Sequence, residues 1–446
     1  MAELSDRLGD PDRTFTSLLG QSRQAFETSD YDRAVDLATQ AADTARAAGL
    51  GARVAEGHLW AGKALTWHGE GAAAQTQLNT ALEVARAEGQ TALVAEALRY
   101  LAMLASNEGR FADALDFGVR AREEFARDGD LEAESTALAQ HAVTLFNLGR
   151  VAESRDLFEQ ALPVFMASGH LYRQSVVLGN LASSSLILGD LAAAERWCEQ
   201  AIERSQTLGD VEGTATNRTI LGLTQLWTNR WAEARESFEY AWRTGQEVGS
   251  SLVSLDAALW LGVGMLEYGE ATEATHAHAR TLAADATVEA AGPQTAAHAL
   301  LVLAQALLST GENGRLAEAD EAARQAAAVL RDSGVEASIP QCTALRIVIA
   351  QCGGLDPTRA AAEAAALVAE LDRPAIDVSM RSAHLLGQLW ELLAGSPGHE
   401  AAQQQLREAV RAYVDRRLVG AEDPERQAGF LAVPSVARLV RLLDAP

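Results

Sequence analysis

Reactive and covalent chemistry is thin in this sequence. Three cysteines (Cys198, Cys342, Cys352) supply neither a disulfide framework nor the paired spacing of a metal site. Proline is scarce, at ten residues, and long β-branched runs are missing while alanine is abundant, which favours helices throughout over a sheet-based fold. No stretch approaches the roughly 18–20 uninterrupted apolar residues of a spanning helix. The opening MAELSDRLGDPDRTF has no basic-then-apolar signal pattern, so the expected compartment is cytoplasmic. Positive charge is short as well: 37 Lys and Arg face 61 Asp and Glu, for a formal charge of −24. With no Lys/Arg run, neither nucleic acid nor membrane is expected as a partner.

Catalytic signatures are absent too. No G-x-x-x-x-G-K-[ST] loop occurs; Gly62-Lys63 is followed by Ala64 inside a predicted helix, where no phosphate cradle forms. No G-x-S-x-G elbow and no basic recognition helix is present. His276 and His278 are two apart on a predicted helix and point in different directions, and His58 and His68 lie at opposite ends of another. None has the i, i+4 partner that signals zinc. The expectation is no metal, no cofactor, no catalytic residue and no enzyme.

What the sequence does have is a period of 40 residues. The segment 178–209, LGNLASSSLILGDLAAAERWCEQAIERSQTLG, reads as two amphipathic helices around a Gly-Asp turn, and its skeleton returns in both directions. The turn column runs Ser29, Gly69, Gly109, Gly149, Gly189, Asn229, Gly269, and a second column after each pair runs Gly49, Gly89, Gly129, Gly169, Gly209, Gly249. Small residues fill the first helices at Gly62, Ala102, Ala142, Ala182, Gly222 and Gly262, so that paired helices can approach closely. The second helices do the same at Ala34, Ala74, Ala114, Ser154, Ala194, Ala234 and Ala274, and again at Ala41, Ala81, Ala121, Ala161, Ala201 and Ala241. A bulky side chain at Ala182 or Ala201 is expected to overpack the seam by roughly 1–3 kcal/mol.

These columns predict an all-α fold, an α-solenoid of stacked antiparallel helix pairs. Residues 1–12 form a lead-in, 13–287 hold seven regular pairs, and 425–446 form a capping helix bent at Pro434. Between them, 288–424 carry Pro and insertions in their turns. They are read as degenerate repeats continuing the solenoid, with a separate helical domain as the alternative.

The residue pattern resembles the tetratricopeptide repeat (TPR) family: a small residue mid-helix, Gly at the turn, then Ala, a large apolar residue and Ala. The longer unit, with N-L-A at 180–182 and E-Q-A-I at 199–202, is similar to the extended kinesin-light-chain-like or bacterial transcriptional-activator-like subgroup. The closing FLAVPSVARLVRLL resembles the end of the repeat region in bacterial signalling ATPases and adenylyl-cyclase-linked regulators. On that resemblance the chain would be a sensor or adaptor arm without its own output domain.

The resemblance implies a right-handed superhelix whose first helices line a concave groove. The stripe then carries Trp60, Lys63, Trp67, Arg99, Tyr100, Met103, Asn107, Gln140, Phe146, Asn147, Asn180, Ser183, Trp227 and Trp260. Aromatic rings offer apolar pockets with little entropy to lose, and Asn can donate to and accept from a peptide backbone. The alternative for each tryptophan is burial in the seam, and for Asn180 a local hydrogen bond. Lys63 and Arg99 are too few for a cationic clamp on a C-terminal carboxylate. The expected function is a TPR scaffold or adaptor that binds a peptide or protein segment in regulation or signalling. The alternatives are a peptide- or small-ligand-sensing regulator and a self-assembling, homodimeric scaffold.

Overall fold

The computed structural model describes residues 10–269, 272–285, 288, 292–309, 313–333, 339–370, 381–394, 396–420 and 423–444. Residues 1–9 of the expected lead-in 1–12, the boundary at 287 and the final 445–446 lie outside the described residues, and residues 11 and 12 already belong to the first helix. Among the described residues there are 22 helices and no strand. In chain order they are α1 Pro11–Glu27, α2 Tyr31–Ala47, α3 Gly51–His68, α4 Gly71–Ala87, α5 Thr91–Asn107, α6 Phe111–Asp128, α7 Leu131–Asn147, α8 Val151–Ser168, α9 Leu171–Leu188, α10 Leu191–Leu208 and α11 Val211–Trp227. There follow α12 Trp231–Val248, α13 Ser251–Glu267, α14 Thr272–Ala284, α15 Pro293–Leu308, α16 Asn313–Asp332, α17 Ile339–Cys352, α18 Pro357–Glu370, α19 Arg381–Ala394, α20 Glu400–Gly420, α21 Pro424–Ala432 and α22 Pro434–Asp444. The chain forms two compact units that divide within α9, after Ser184.

Local chemistry sets the helix ends. Asp10, Asp30, Asp130, Asp190 and Asp210 each accept a backbone N–H of the following first turn, capping α1, α2, α7, α10 and α11. Each such cap is worth about 1 kcal/mol. The turn column demands a left-handed backbone: Ser29 (φ 60°) and Asn229 (φ 58°) adopt it where the other repeats use glycine. Helices joined by turns this tight run antiparallel, and consecutive helices form the dominant packing pairs.

The small columns are the floor of that packing. Gly62, Ala102, Ala142, Ala182, Gly222 and Gly262 are buried, as are Ala34, Ala74, Ala114, Ser154, Ala194 and Ala234. Where serine takes such a position its hydroxyl is satisfied across the hairpin. Ser22 Oγ donates to Ala34 O at 2.7 Å, and Ser154 Oγ donates to Ala142 O at the same distance. The seventh pair slips by one residue: Ala274 and Thr281 are exposed while Thr275 and Leu282 are buried. Cys198 is fully buried, and burial holds its thiol far above the usual range.

In the N-terminal unit the first helices of successive pairs touch one another, α1 with α3, α3 with α5 and α5 with α7. Their second helices make no comparable contact, so the first helices form the inner layer of this unit. The C-terminal unit repeats the arrangement with α11, α13, α15 and α17. It then closes on itself. One hydrophobic cluster joins Leu191 and Trp227 of the regular repeats to Leu386, Trp390, Tyr413, Phe430 and Leu439 of α19–α22.

Candidate functional site

The inner layer of the N-terminal unit carries ten of the fourteen expected groove residues, on α3, α5 and α7, and Asn180 and Ser183 follow on α9. At its N-terminal end the side chains form a ladder of alternating cations and rings. Arg23 sits 4.8 Å from the Trp60 ring, Lys63 Nζ 3.7 Å from the same ring and 5.0 Å from that of Tyr100, and Arg99 4.3 Å from Tyr100. Ring quadrupoles attract cations placed this way. Phe26 packs edge-on against Trp60 (6.0 Å), Trp67 (6.5 Å) and Tyr31 (5.6 Å).

The arginines of this stripe are neutralised. Arg23 pairs with Glu56 at 2.9 Å, Arg53 with Glu56 and Asp12 at 3.0 Å, and Arg99 with Glu96 at 2.7 Å. The hydrogen bond that Arg53 donates to Glu56 raises the Arg53 pKa against partial burial, and Asp12 adds to it. Burial works against the charge of Arg99, but Glu96 and Tyr100 more than offset it and hold that guanidinium above its ordinary value. Next along the stripe, Gln140 Nε2 donates to Arg99 O at 3.3 Å, which ties α7 to α5.

Exposure sorts the expected residues. Trp67 is 57% exposed, and Asn107 and Asn147 are exposed. Trp60, Lys63, Arg99, Met103, Gln140, Phe146, Asn180 and Ser183 are half-buried. Tyr100, at 8% exposure, is mostly core and presents its ring to Lys63 and Arg99. Asn180 Nδ2 donates to Val176 O at 2.8 Å and Ser183 Oγ to Gly179 O at 3.1 Å, both along their own helix. Arg23 and Phe26 of α1 share this inner layer without having been expected, and Tyr172 and Val176 stand exposed on α9. The signal for the first two lay in the period, since 40 residues before Lys63 and Thr66 stand Arg23 and Phe26.

Two expected residues belong to the other unit, and one is corrected. Trp227 is 3% exposed. Phe430 and Tyr413 lie against its ring, at 5.9 Å and 6.5 Å between centroids, and Arg417 sits 5.1 Å from it. The cover is pinned around that ring: Glu195 accepts from Arg230 at 2.6 Å and from Arg426 at 2.9 Å, and Ser435 N donates to Glu267 Oε1 at 2.6 Å. Trp227 is therefore a core residue. Trp260 is half-buried in the cluster of Leu223, Phe238 and Met265.

Among the described residues no group of three or more His, Cys, Asp or Glu could hold a metal ion. The buried histidines serve packing: His276 Nε2 meets Ala306 O, and His58 is held between Arg46 and Gln77. Among the described residues no helix is long and apolar enough to cross a membrane.

No protein-family model matches the sequence, and no curated protein matches it. Solved structures do. The apo form of the quorum sensor NprR from B. thuringiensis aligns over 91% of this chain and 99% of its own, at 12% identity and a TM-score of 0.51. A Rap protein complexed with Competence and Sporulation Factor aligns over 79% of this chain and 100% of its own, at 14% identity and a TM-score of 0.48. A STAND signal-transduction ATPase with a tetratricopeptide repeat sensor, from Pyrococcus horikoshii, aligns over 80% of this chain and 55% of its own, at 15% identity and a TM-score of 0.47. The fold is that of TPR-type helical repeat proteins.

Proposed function

We propose that this chain is a non-enzymatic regulatory scaffold that binds a peptide or protein segment along the inner layer of its N-terminal unit. The observation that carries this reading is the stripe itself. An exposed tryptophan, a ladder of rings and cations, and exposed amides at Asn107 and Asn147 run across α1, α3, α5 and α7. Such a surface offers apolar anchoring together with donors and acceptors for an extended backbone, and no reactive group. Small residues and satisfied serines hold the supporting hairpins together, so the stripe stands on a packed base. A TPR-type fold is defined by its scaffold, and what it binds is decided by residues such as these.

The second reading is a ligand-sensing regulator. The quorum-sensing role of NprR favours it, and it uses the same stripe with a small ligand in place of a protein segment.

The test is selection of a displayed peptide library on the intact protein, followed by binding to a variant with Trp67→Ala, Asn107→Ala and Asn147→Ala together. These exposed positions can be truncated with little effect on the core. Selected peptides should lose at least about tenfold in affinity, the equivalent of one good hydrogen-bonded contact. Unchanged affinity in the variant would refute the site.

A further inference from the structure

Lys63 is the only lysine in the 446 residues; every other basic side chain apart from histidine is arginine. It projects from the middle of α3 into the inner layer, with its ammonium against the face of Trp60 and near that of Tyr100. The neighbouring Arg23, Arg53 and Arg99 each have a carboxylate partner. Lys63 has none: among the described residues its Nζ meets no carboxylate and no hydrogen-bond acceptor, only the two rings. In a chain with a formal charge of −24, carboxylates are the easiest partner to come by. A half-buried ammonium without one leaves this patch with a single uncompensated positive charge.

We propose that Lys63 is an anchor for the bound segment and that its partner is the carboxylate of an acidic side chain, Asp or Glu, flanked by apolar residues. This rests on the reading that the inner layer binds a peptide. Three observations set the chemistry. The rings of Trp60 and Tyr100 hold the ammonium in place, so a carboxylate meets a positioned donor rather than a floppy one. The charge is single, because Arg23 and Arg99 are already engaged by Glu56 and Glu96. One free cation suits a singly charged side chain, whereas a phosphate dianion would need a second. The ring of Trp60 beside it carries Phe26 edge-on, so the wall there is apolar and the residues next to the acid should be hydrophobic. Lysine also differs from arginine here in being a compact point charge that two ring faces can enclose.

The probes are two pools of 12-residue peptides, N-acetylated and C-amidated, randomised except for a central Glu in one pool and a central Gln in the other. Wild-type protein should bind the Glu pool about tenfold more tightly, the scale of one charge-assisted hydrogen bond, and the preference should weaken with added salt. Lys63→Gln should abolish the preference while keeping the binding common to both pools, and Lys63→Arg should keep most of it. Because the protein has one lysine, labelling with 13Cε-lysine gives a single NMR side-chain signal, which should move with the Glu pool and stay put with the Gln pool. Equal binding of both pools by wild-type protein would overturn the anchor and leave the peptide-binding reading standing. Binding by neither pool would overturn both. Binding restored only when the C-terminus is left as a free carboxylate would overturn the side-chain assignment in favour of a terminal one.

Discussion

Gly57 separates two opposing effects of one methyl group. It lies on α3 facing α2, and a Cβ built there falls 2.8 Å from Ala42 Cβ and 2.9 Å from both Ala42 Cα and Ala42 N. Carbon atoms rest at about 3.5–4.0 Å, so the overlap is more than half an ångström. It is directed at backbone, which cannot rotate away. Gly57→Ala gains up to about 1 kcal/mol of helix propensity. Against this stands an overpacking cost of about 1–3 kcal/mol, because α2 and α3 must be pushed apart along their seam. With the overlap aimed at backbone the cost falls in the upper part of its range, about 2–3 kcal/mol, and the variant should lose about 1–2 kcal/mol net. Gly20 of α1 is the control: it is exposed, and nothing lies within 4 Å of its Cβ position. Gly20→Ala should therefore keep the propensity gain of roughly 0.5–1 kcal/mol. Urea unfolding followed by far-UV circular dichroism gives both numbers, with an unchanged m-value confirming that only stability moved. Hydrogen exchange should place the Gly57→Ala loss in peptides from α2 and α3. A Gly57→Ala protein as stable as wild type would refute the reasoning that the α2–α3 contact at Gly57 has no room for a methyl group.

Trp67 and Trp227 occupy the same repeat position 160 residues apart and should behave oppositely on truncation. Trp227→Ala should cost about 3–5 kcal/mol in chemical denaturation, because Phe430, Tyr413 and Arg417 lose their common support. Trp67→Ala should cost less than about 1 kcal/mol, since more than half of that side chain already meets solvent. Among the described residues the buried hydroxyl of Tyr413 has no hydrogen-bond partner, and burial pushes its pKa up to about 12. Tyr413→Phe should therefore stabilise the protein by about 1 kcal/mol, read as a higher urea midpoint, because the unmade bond disappears with the group that lacked it.

The repeated part of the fold was legible because its causes are local. A left-handed turn residue, an Asp cap and a small residue at the hairpin seam all act within a few turns of helix, so they leave marks at fixed intervals. Even the substitutions within the columns have nearby reasons, as Ser22 and Ser154 show by bonding to the facing backbone. Trp227 was not legible for the converse reason. Its burial depends on Tyr413 and Phe430, about 200 residues later, and no periodicity carries that information. The slip in the seventh pair escaped in a different way: Ala274 keeps the expected residue type, but a one-residue shift puts Thr275 inside instead. At the candidate site the residue types were readable, whereas the state of each charge was not. Lys63 and Arg99 look alike in the sequence, and only the placement of Glu96 shows that one is neutralised and the other is not.

The contacts among α1, α3, α5 and α7 bear on how the N-terminal unit flexes. A pile of wedges that meets along one edge and gapes along the other bends about the edge that meets. That edge is the fulcrum, where a small change of curvature alters length least, while the outer rim spreads or closes. A strand of peptide laid along the fulcrum would keep its footing as the unit breathes, and its arrival would be registered chiefly on the opposite side, at the second helices.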